Sequence, residues 1–283
     1  MGEKEKNYGE KQDSSGLEQV FPENMDFNLS DFALFLSVMK HEEAHRCVLS
    51  IIMGEPKLQL QRFHVEEVVL NKSGQRAIRL DAWAVDTENR HYTTEMQNDT
   101  SEDDMRRRAR FYQGLLDTPV LKSGRETRYR QLPSSVVTFI TQEDIFKRDL
   151  ARYTFTEQCE EVAELHLEDG PTQIFLNMTS KNGDPTLVSL LQYMKDTRMD
   201  NPGILVEDER LCAIDQVVQE VKQSEEWEAV KMSILSVGIE KGREEGIRAV
   251  VELCRELGLS PAETKKRLME KFSLSDEQAE KYI

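Results

Sequence analysis

Asp81 and Glu95 are the two residues of this 283-residue chain whose spacing most clearly predicts chemistry. Residues 78–85 and 91–97 alternate apolar and polar side chains, and the residues between them favour a turn, so the stretch predicts a β-hairpin. A hairpin symmetric about Glu88 places Asp81 directly opposite Glu95, with Cβ atoms about 5 Å apart. Because like charges at that distance are destabilising, we expect a cation or a shared proton to offset them.

The same alternation predicts the face of the hairpin that each side chain occupies. The first strand separates into two sets: Ile78, Leu80, Ala82 and Ala84 on one face, and Arg79, Asp81 and Trp83 on the other. Gln97 is expected on the same face as Glu95, because side chains on a strand repeat every second residue. The pattern therefore predicts one polar face that carries Asp81, Glu95 and Gln97.

Further elements are predicted around this hairpin from hydrophobic periodicity. We expect helices over 29–53, 102–117 and 186–196, a helical region over 207–257, and strands near 66–70, 136–140 and 172–179. Capping boxes begin two short final helices, at Ser260 with Glu263 and at Ser275 with Gln278. This order predicts an α/β fold, with a mixed β-sheet flanked by helices and an α-helical C-terminal extension.

A cluster of arginines follows the hairpin at once, in the first turns of the helix over 102–117: Arg106, Arg107, Arg108 and Arg110. Ser101 and Asp104 resemble a capping pair for this helix. Two interpretations of the arginines stay open. They form a solvated basic surface that complements neighbouring acids, or some of them face the polar side of the hairpin and hold phosphates.

The charge distribution limits the classes of protein to which this chain can belong. A net charge of −16 argues against a protein that coats nucleic acid generally. From residue 106 to residue 152, however, eleven Lys and Arg accompany five Asp and Glu. This basic middle is compatible with a phosphodiester substrate.

Composition also bears on location. The sequence has no apolar run of membrane-spanning length, and its polar start lacks the apolar core of a signal peptide. The cysteines are far apart and show no C-x-x-C pairing: Cys47, Cys159, Cys212 and Cys254. This spacing fits reduced thiols, so we expect a cytoplasmic protein with no membrane partner.

A second pattern with metal chemistry lies in the first predicted helix. His41-Glu42-Glu43-Ala44-His45 satisfies H-E-x-x-H, in which two imidazoles share a zinc ion and the first glutamate acts as general base. A catalytic zinc needs a third ligand, and no clear spacing supplies one from the downstream candidates His64, Glu66 and Glu67. A zinc metallopeptidase is therefore the less favoured alternative to a charged helix surface.

The hairpin and the arginine helix together resemble a known family. Leu80-Asp81, a gap of thirteen residues, Glu95-Met96-Gln97 and then Arg107-x-Ala109-Arg110-x-Tyr112-Gln113 closely resemble the PD-(D/E)XK nuclease family transposases, relatives of the recombination-promoting nucleases. The helix with Phe35 and Val38-Met39 and the ending from Leu274-Ser275 to Tyr282 are also similar to that family. The resemblance covers most of residues 30–283.

The resemblance implies a restriction-endonuclease-like core and Mg²⁺-dependent cleavage of DNA, with Mn²⁺ as a substitute metal. Asp81 and Glu95 would ligate the metal, with the Met96 carbonyl as a third ligand. Gln97 would stand where the wider superfamily has lysine, as a catalytic residue that positions the attacking water. Leu36 would stand where relatives often carry a lysine. Either Glu42 or Glu43 would be the acid of the first helix. The nucleic-acid-binding residues would be Arg107, Arg108, Arg110, Tyr112 and Gln113.

The resemblance also divides the chain. It implies a nuclease-like domain over 25–200, after a polar tail over 1–24 that we expect to be disordered. An acidic helical extension over 201–283 follows, in which Gly238, Gly242 and Gly246 recur every fourth residue. The expected partners are DNA and, through the helical extension, a second copy of the chain. The alternative function is a nuclease-like DNA- or protein-binding module with weak or no catalysis.

Overall fold

The computed structural model describes residues 26–71, 75–101, 103–121 and 127–283. The polar tail predicted over 1–24 lies outside the described residues. Among the helices that are described, none is both long and apolar enough to cross a membrane.

Six strands within the described residues form one mixed sheet, in the order β1-β2-β3-β4-β6-β5. β2 pairs antiparallel with both β1 and β3, β4 pairs in parallel with both β3 and β6, and β5 runs antiparallel to β6 at the edge. Their bounds are β1 Leu60–Val69, β2 Ile78–Asp86, β3 His91–Gln97, β4 Ser135–Thr141, β5 Arg152–Phe155 and β6 Pro171–Asn177. With helices on both faces, this sheet confirms the predicted α/β class.

Eight α-helices are found in the described part of the chain. They are α1 Phe32–Met39, α2 Glu42–Met53, α3 Met105–Asp117, α4 Pro185–Lys195, α5 Glu209–Lys222, α6 Glu225–Glu256, α7 Pro261–Phe272 and α8 Asp276–Glu280. Residues of α1, α2, α4 and α5 pack against one face of the sheet in a first core cluster. α3, which connects the parallel strands β3 and β4, packs against the other face in a second cluster. α5 lies beyond the predicted boundary at residue 200 and contributes Leu211, Ile214, Val217, Val218 and Val221 to the first cluster.

The register of the hairpin agrees with the prediction of symmetry about Glu88. Ala82 pairs with Thr94 and Val85 with His91, so continuing the ladder brings Asp81 opposite Glu95. The ladder itself stops at Ala82 and Thr94. Beyond it, the two strands are connected by hydrogen bonds from a backbone N–H of one strand to an acid side chain of the other.

The predicted faces of the first hairpin strand are wrong in one respect. Leu80 packs in the second core cluster and Ala82 in the first, so these two side chains lie on opposite faces of the sheet. β1 changes face at the same level, because Val65 packs against the first cluster and Val69 against the second. Between them Glu66 has a left-handed backbone with φ 55°, which interrupts the regular alternation beside Asp81.

Three further predictions are corrected by the structure. The helix expected over 29–53 is two helices, because His41 is extended and forms the start of α2. β1 is ten residues long, whereas a short strand was expected near 66–70. No strand was expected between those at 136–140 and 172–179, where the structure has an additional edge strand, β5, of four residues.

The two capping boxes predicted for the final helices are confirmed. Ser260 and Glu263 cap α7 reciprocally, and Ser275 and Gln278 cap α8. Together with the end of α6, these helices bury a small separate cluster: Ile247, Val251, Leu268 and Ala279. The C-terminal helices thus pack around an apolar centre of their own.

Candidate functional site

Asp81 and Glu95 meet where β2 and β3 separate, and each carboxylate accepts a hydrogen bond from the other's strand. The Asp81 backbone N–H donates to Glu95 Oε1 at 3.0 Å. The Met96 backbone N–H donates to Asp81 Oδ2, also at 3.0 Å. These reciprocal bonds fix both acids to the backbone, so their carboxylates are brought together as the sequence predicted.

Both acids are removed from solvent, with 8% of Asp81 and 1% of Glu95 exposed. Burial raises the pKa of Asp81, although the Met96 N–H and the charge of Arg108 oppose the shift. Burial also raises the pKa of Glu95, and the negative charge of Asp81 raises it further. A buried pair of this kind holds a proton at neutral pH more readily than two separate acids would.

Arg108 is the cation of the site, and it is half-buried on the side of α3 that faces the sheet. Its Nη2 atom lies 3.9 Å from Glu95 Oε2. Its Nη1 donates to Gln97 Oε1 at 2.9 Å, while Nε and Nη2 donate to the Tyr112 hydroxyl at 3.2 and 2.9 Å. The i,i+4 spacing of Arg108 and Tyr112 on one helix is the sequence signal that distinguishes this arginine from its neighbours.

The neighbouring arginines lie on the outer surface of α3. Arg107 is exposed and forms an ion pair with Asp104 at 3.4 Å, and Arg110 is exposed as well. Asp104 alone caps the helix, since its side chain accepts from the backbone N–H groups of Arg106 and Arg107. The expected capping by Ser101 is therefore wrong, because the helix begins one turn later than predicted.

Tyr112 and Gln113 are buried rather than available at the surface. Tyr112 supports Arg108, as described above, and packs against Phe139. Gln113 donates from Nε2 to Ser135 Oγ at the start of β4. Of the five residues expected to contact nucleic acid, only Arg107 and Arg110 are therefore fully exposed, while Arg108 reaches the carboxylates.

Two residues next to Glu95 are positioned by strand β3. Met96 pairs with Ile140 of β4, and its N–H, not its carbonyl, is the group that contacts Asp81. The Gln97 side chain has a protein partner at each end: Oε1 accepts from Arg108, and Nε2 donates to the Asp99 carbonyl. Gln97 thus belongs to the same group of side chains as Glu95 and Arg108.

The start of α1 also lies close to the strands that carry the acids. Asn98 donates to the Ser30 carbonyl at 2.9 Å, and the Arg79 guanidinium stands over the Phe32 ring. Glu42 and Glu43 are exposed in the first turn of α2. Within the described residues, no contact joins either glutamate to Asp81 or Glu95.

The H-E-x-x-H pattern does not form a shared face of one helix. His41 is exposed and precedes α2, while His45 is fully buried with its ring against Phe63. His45 Nδ1 bonds to the Met39 carbonyl at 3.1 Å, and burial lowers the pKa of this histidine to about 4. His45 therefore behaves as a core residue.

The oxygen ligands at the acid pair fit a hard divalent cation. Glu95 Oε2 is buried and has no hydrogen-bond partner among the described residues, so this oxygen can accept a cation without losing a bond. No group of three or more His, Cys, Asp or Glu within the described ranges could enclose a metal ion. Mg²⁺ commonly binds through one or two carboxylates and completes its shell with water and substrate phosphate, so two acids are compatible with it.

A second polar cluster, at the turn end of the hairpin, was not expected from the sequence. Arg90 donates to both oxygens of Glu55, at 2.7 and 2.6 Å, and to Asp86 at 2.6 Å. The Tyr92 hydroxyl donates to the same Asp86 oxygen at 3.0 Å. This cluster is fully paired and connects the end of α2 to the hairpin turn.

Fold and site together define a class: an α/β protein whose six-stranded mixed sheet, flanked by helices within the described residues, carries a buried pair of acids between two strands. Comparison with protein-family models, curated proteins and solved structures gives no match for this chain. A function is therefore inferred from the chemistry of Asp81, Glu95 and Arg108.

Proposed function

We propose that this protein is a Mg²⁺-dependent DNA endonuclease with a restriction-endonuclease-like core, of the PD-(D/E)XK transposase and recombination-promoting type. Asp81 and Glu95 hold the metal in this proposal, and Mn²⁺ can take its place. The exposed arginines of α3, Arg107 and Arg110, contact phosphates of the DNA backbone beside the site.

The observation that supports this proposal is the reciprocal attachment of two buried acids at the point where their strands separate. The Asp81 N–H donates to Glu95, and the Met96 N–H donates to Asp81. Burying two acids side by side is unfavourable unless a proton or a cation joins them. A fold that fixes this arrangement through its backbone favours a cation-binding role over a purely structural one.

The position of the pair in the sheet is also typical of a binding site. Glu95 and Gln97 stand at the carboxyl end of β3, where the sheet changes from antiparallel to parallel pairing. In open α/β sheets, ligands bind outside the carboxyl ends of the strands, and the parallel strands β3, β4 and β6 all end on this side. α3 leaves from this end and brings Arg108 over the acids.

Each residue then has a defined part in phosphodiester hydrolysis. Asp81 and Glu95 would hold Mg²⁺, which would supply Lewis acidity for activating a water and charge to offset that of the phosphate. Any proton that the raised pKa values leave on Asp81 or Glu95 must be released to solvent when the cation binds. The two backbone N–H groups keep the carboxylates oriented, so little reorganisation accompanies that change.

Isosteric variants of the two acids provide the test. We expect D81N and E95Q to lower Mg²⁺-dependent nicking of plasmid DNA by at least about a hundredfold, because each removes a charged ligand. E88Q, at the exposed turn of the same hairpin, is the matched control and is expected to nick as the wild type does. Equal nicking by the wild type, D81N and E95Q would show that the activity does not use this site.

A second candidate function is a nuclease-like module that binds DNA or protein without cutting it. Residue 97, which is lysine in the wider superfamily, is here a neutral glutamine whose amide already bonds to Arg108 and Asp99. This module would bind DNA but show no cleavage in Mg²⁺ or Mn²⁺. Calorimetry with Mn²⁺ separates the two functions. The nuclease must bind Mn²⁺ through Asp81 and Glu95, so D81N and E95Q should abolish that binding, whereas the module requires no metal.

A further inference from the structure

The side-chain amide of Gln97 is hydrogen-bonded to Arg108 and to the backbone at Asp99. Its Oε1 accepts from Arg108 Nη1 at 2.9 Å, and its Nε2 donates to the Asp99 carbonyl. The amide is thus fixed at both ends and brings no charge of its own. The positive charge nearest to the acid pair is instead the Arg108 guanidinium, with Nη2 at 3.9 Å from Glu95 Oε2.

The guanidinium is held on several sides, which makes it a preorganised group. Nε and Nη2 both donate to the Tyr112 hydroxyl, and the guanidinium carbon lies 5.3 and 5.5 Å from the centroids of the Tyr112 and Phe139 rings. Stacking on aromatic rings and hydrogen bonds at the edge restrict rotation of the side chain. Arg108 therefore needs little rearrangement before it can bind a ligand.

Part of its hydrogen-bonding capacity is unused. A guanidinium has five N–H groups, and the bonds to Gln97 and Tyr112 use three of them. The other two have no acceptor within hydrogen-bond distance among the described residues, since 3.9 Å to Glu95 is too long. Two N–H groups on a planar fork match two oxygens of one phosphate.

Charge balance favours one metal ion. Ionised Asp81 and Glu95 contribute two negative charges, Arg108 one positive charge, and a phosphodiester one negative charge. One divalent cation makes this group neutral, whereas two would leave an excess of two positive charges in a mostly buried site. Such an excess is strongly disfavoured where solvent is excluded.

We propose that Arg108 contacts the scissile phosphate and takes the place of a second cation, so that the site binds a single divalent metal ion. Gln97 is a positioning residue that holds Arg108. This inference rests on the proposed nuclease function and specifies the source of the charge that residue 97 does not supply.

The experiment compares arginine variants of the full-length chain. Calorimetry with Mn²⁺ and no DNA is expected to give one ion per chain in the wild type and in R108M. Single-turnover cleavage by R108M is expected to fall roughly 10²–10³-fold, as for loss of one preorganised donor to transition-state charge. R108K keeps the charge and should recover part of this loss, while E88Q, at an exposed residue outside the site, should cleave as the wild type does.

A double-mutant comparison tests the role of Gln97. Q97M is expected to slow cleavage in the wild type but to add nothing in the R108M background, because it acts through the arginine. A further loss in that background would show that Gln97 acts independently. Thermal melting of R108M and R108K verifies that the variants are folded.

Failure of this inference differs from failure of the proposed function. Two Mn²⁺ ions per wild-type chain, or cleavage by R108M at the wild-type rate, would overturn the inference and leave the nuclease function in place. Mn²⁺ binding that is unchanged in both D81N and E95Q would instead contradict the proposed function. R108K that cleaves as slowly as R108M would also contradict the inference that Arg108 takes the place of a cation, because lysine keeps the charge.

Discussion

At the scale of single residues, the buried pair of Asp81 and Glu95 would link the proposed metal binding to protonation. Each acid has a raised pKa, for which burial is the largest cause. A folded state that holds protons more tightly than the unfolded state is most stable at low pH, and its stability falls as the pH rises. Without a cation, therefore, the two carboxylates are expected to reduce the stability of the fold at neutral pH.

The first prediction concerns E95Q and stability. Because both pKa values are raised, the wild-type free energy of unfolding, measured in EDTA, should decline with rising pH. The decline should begin at about pH 4, the ordinary carboxyl pKa, and continue up to the raised pKa values of the pair. E95Q retains an oxygen to accept the Asp81 N–H but cannot ionise. We expect it to be more stable than the wild type at pH 8 by on the order of 2 kcal/mol, measured by urea unfolding.

Two comparisons test the cause of that difference. At pH 4 both proteins carry neutral groups at residue 95, so the stability difference should largely disappear. Adding 10 mM Mg²⁺ at pH 8 should stabilise the wild type by mass action but leave E95Q unchanged. Equal wild-type stability at pH 5 and pH 8 in EDTA would show that the pair is not strained by ionisation.

At the scale of elements, the hairpin is anchored at its turn end by Arg90. Burial alone would raise the pKa of Asp86, but hydrogen bonds from Arg90 and Tyr92 hold it below its ordinary value. Asp86 is only 2% exposed, whereas about a quarter of the Arg90 side chain is exposed. Removal of Arg90 would therefore leave a buried carboxylate without its cation.

The second prediction compares R90M with R79M. We expect R90M to lower the unfolding free energy by about 2 kcal/mol, because a buried charge loses its partner, with some relief from solvent. R79M removes an arginine from the same hairpin that pairs with Glu66 at 3.4 Å in an exposed position, and should cost less than about 1 kcal/mol. Urea unfolding at pH 7 measures both, and equal losses would contradict the buried role of Asp86.

The hairpin also shows how far the sequence specifies the fold. Strand β3 begins and ends where predicted, at His91 and Gln97, because alternation and a polar turn are local signals. The carboxylate pairing follows from the same register. The face change at Glu66 has no such signal, since it depends on a left-handed residue of β1 across from Asp81.

Other features depend on contacts that are distant in the sequence. β5 was missed because it has four residues at the sheet edge, too few for an alternating pattern to be recognised. Arg90 and Glu55 are 35 residues apart and give no motif. Among the arginines of α3, only the spacing of Arg108 to Tyr112 is a local signal, since its contacts with Gln97 and Phe139 depend on the fold.

At the scale of the whole molecule, α6 connects two packed regions through a stretch with few contacts. Trp227, near its start, is buried in the first core cluster, and Ile247 and Val251 are buried with the final helices. Between them, apolar side chains are exposed, among them Met232, Val237 and Ile239. This stretch is where the helical extension was predicted to associate with a second copy of the chain, and that prediction remains to be tested.

The last prediction uses the glycines of this stretch to test association. A Cβ atom at Gly238 or Gly242 would meet nothing within 4 Å, so alanine at either residue should stabilise α6 by roughly 0.5–1 kcal/mol through helix propensity. Hydrogen exchange of the α6 amides measures this effect in the isolated chain.

If two copies associate through close approach of their backbones at these glycines, the same G238A and G242A changes should instead weaken association, measured by light scattering across a concentration series. G246A is the matched control, because its Cβ would lie 3.4 Å from Phe272 within the same chain. A chain that is monomeric at all concentrations, with slower exchange in G238A and G242A, would contradict the predicted homo-oligomer while confirming the uncovered helix.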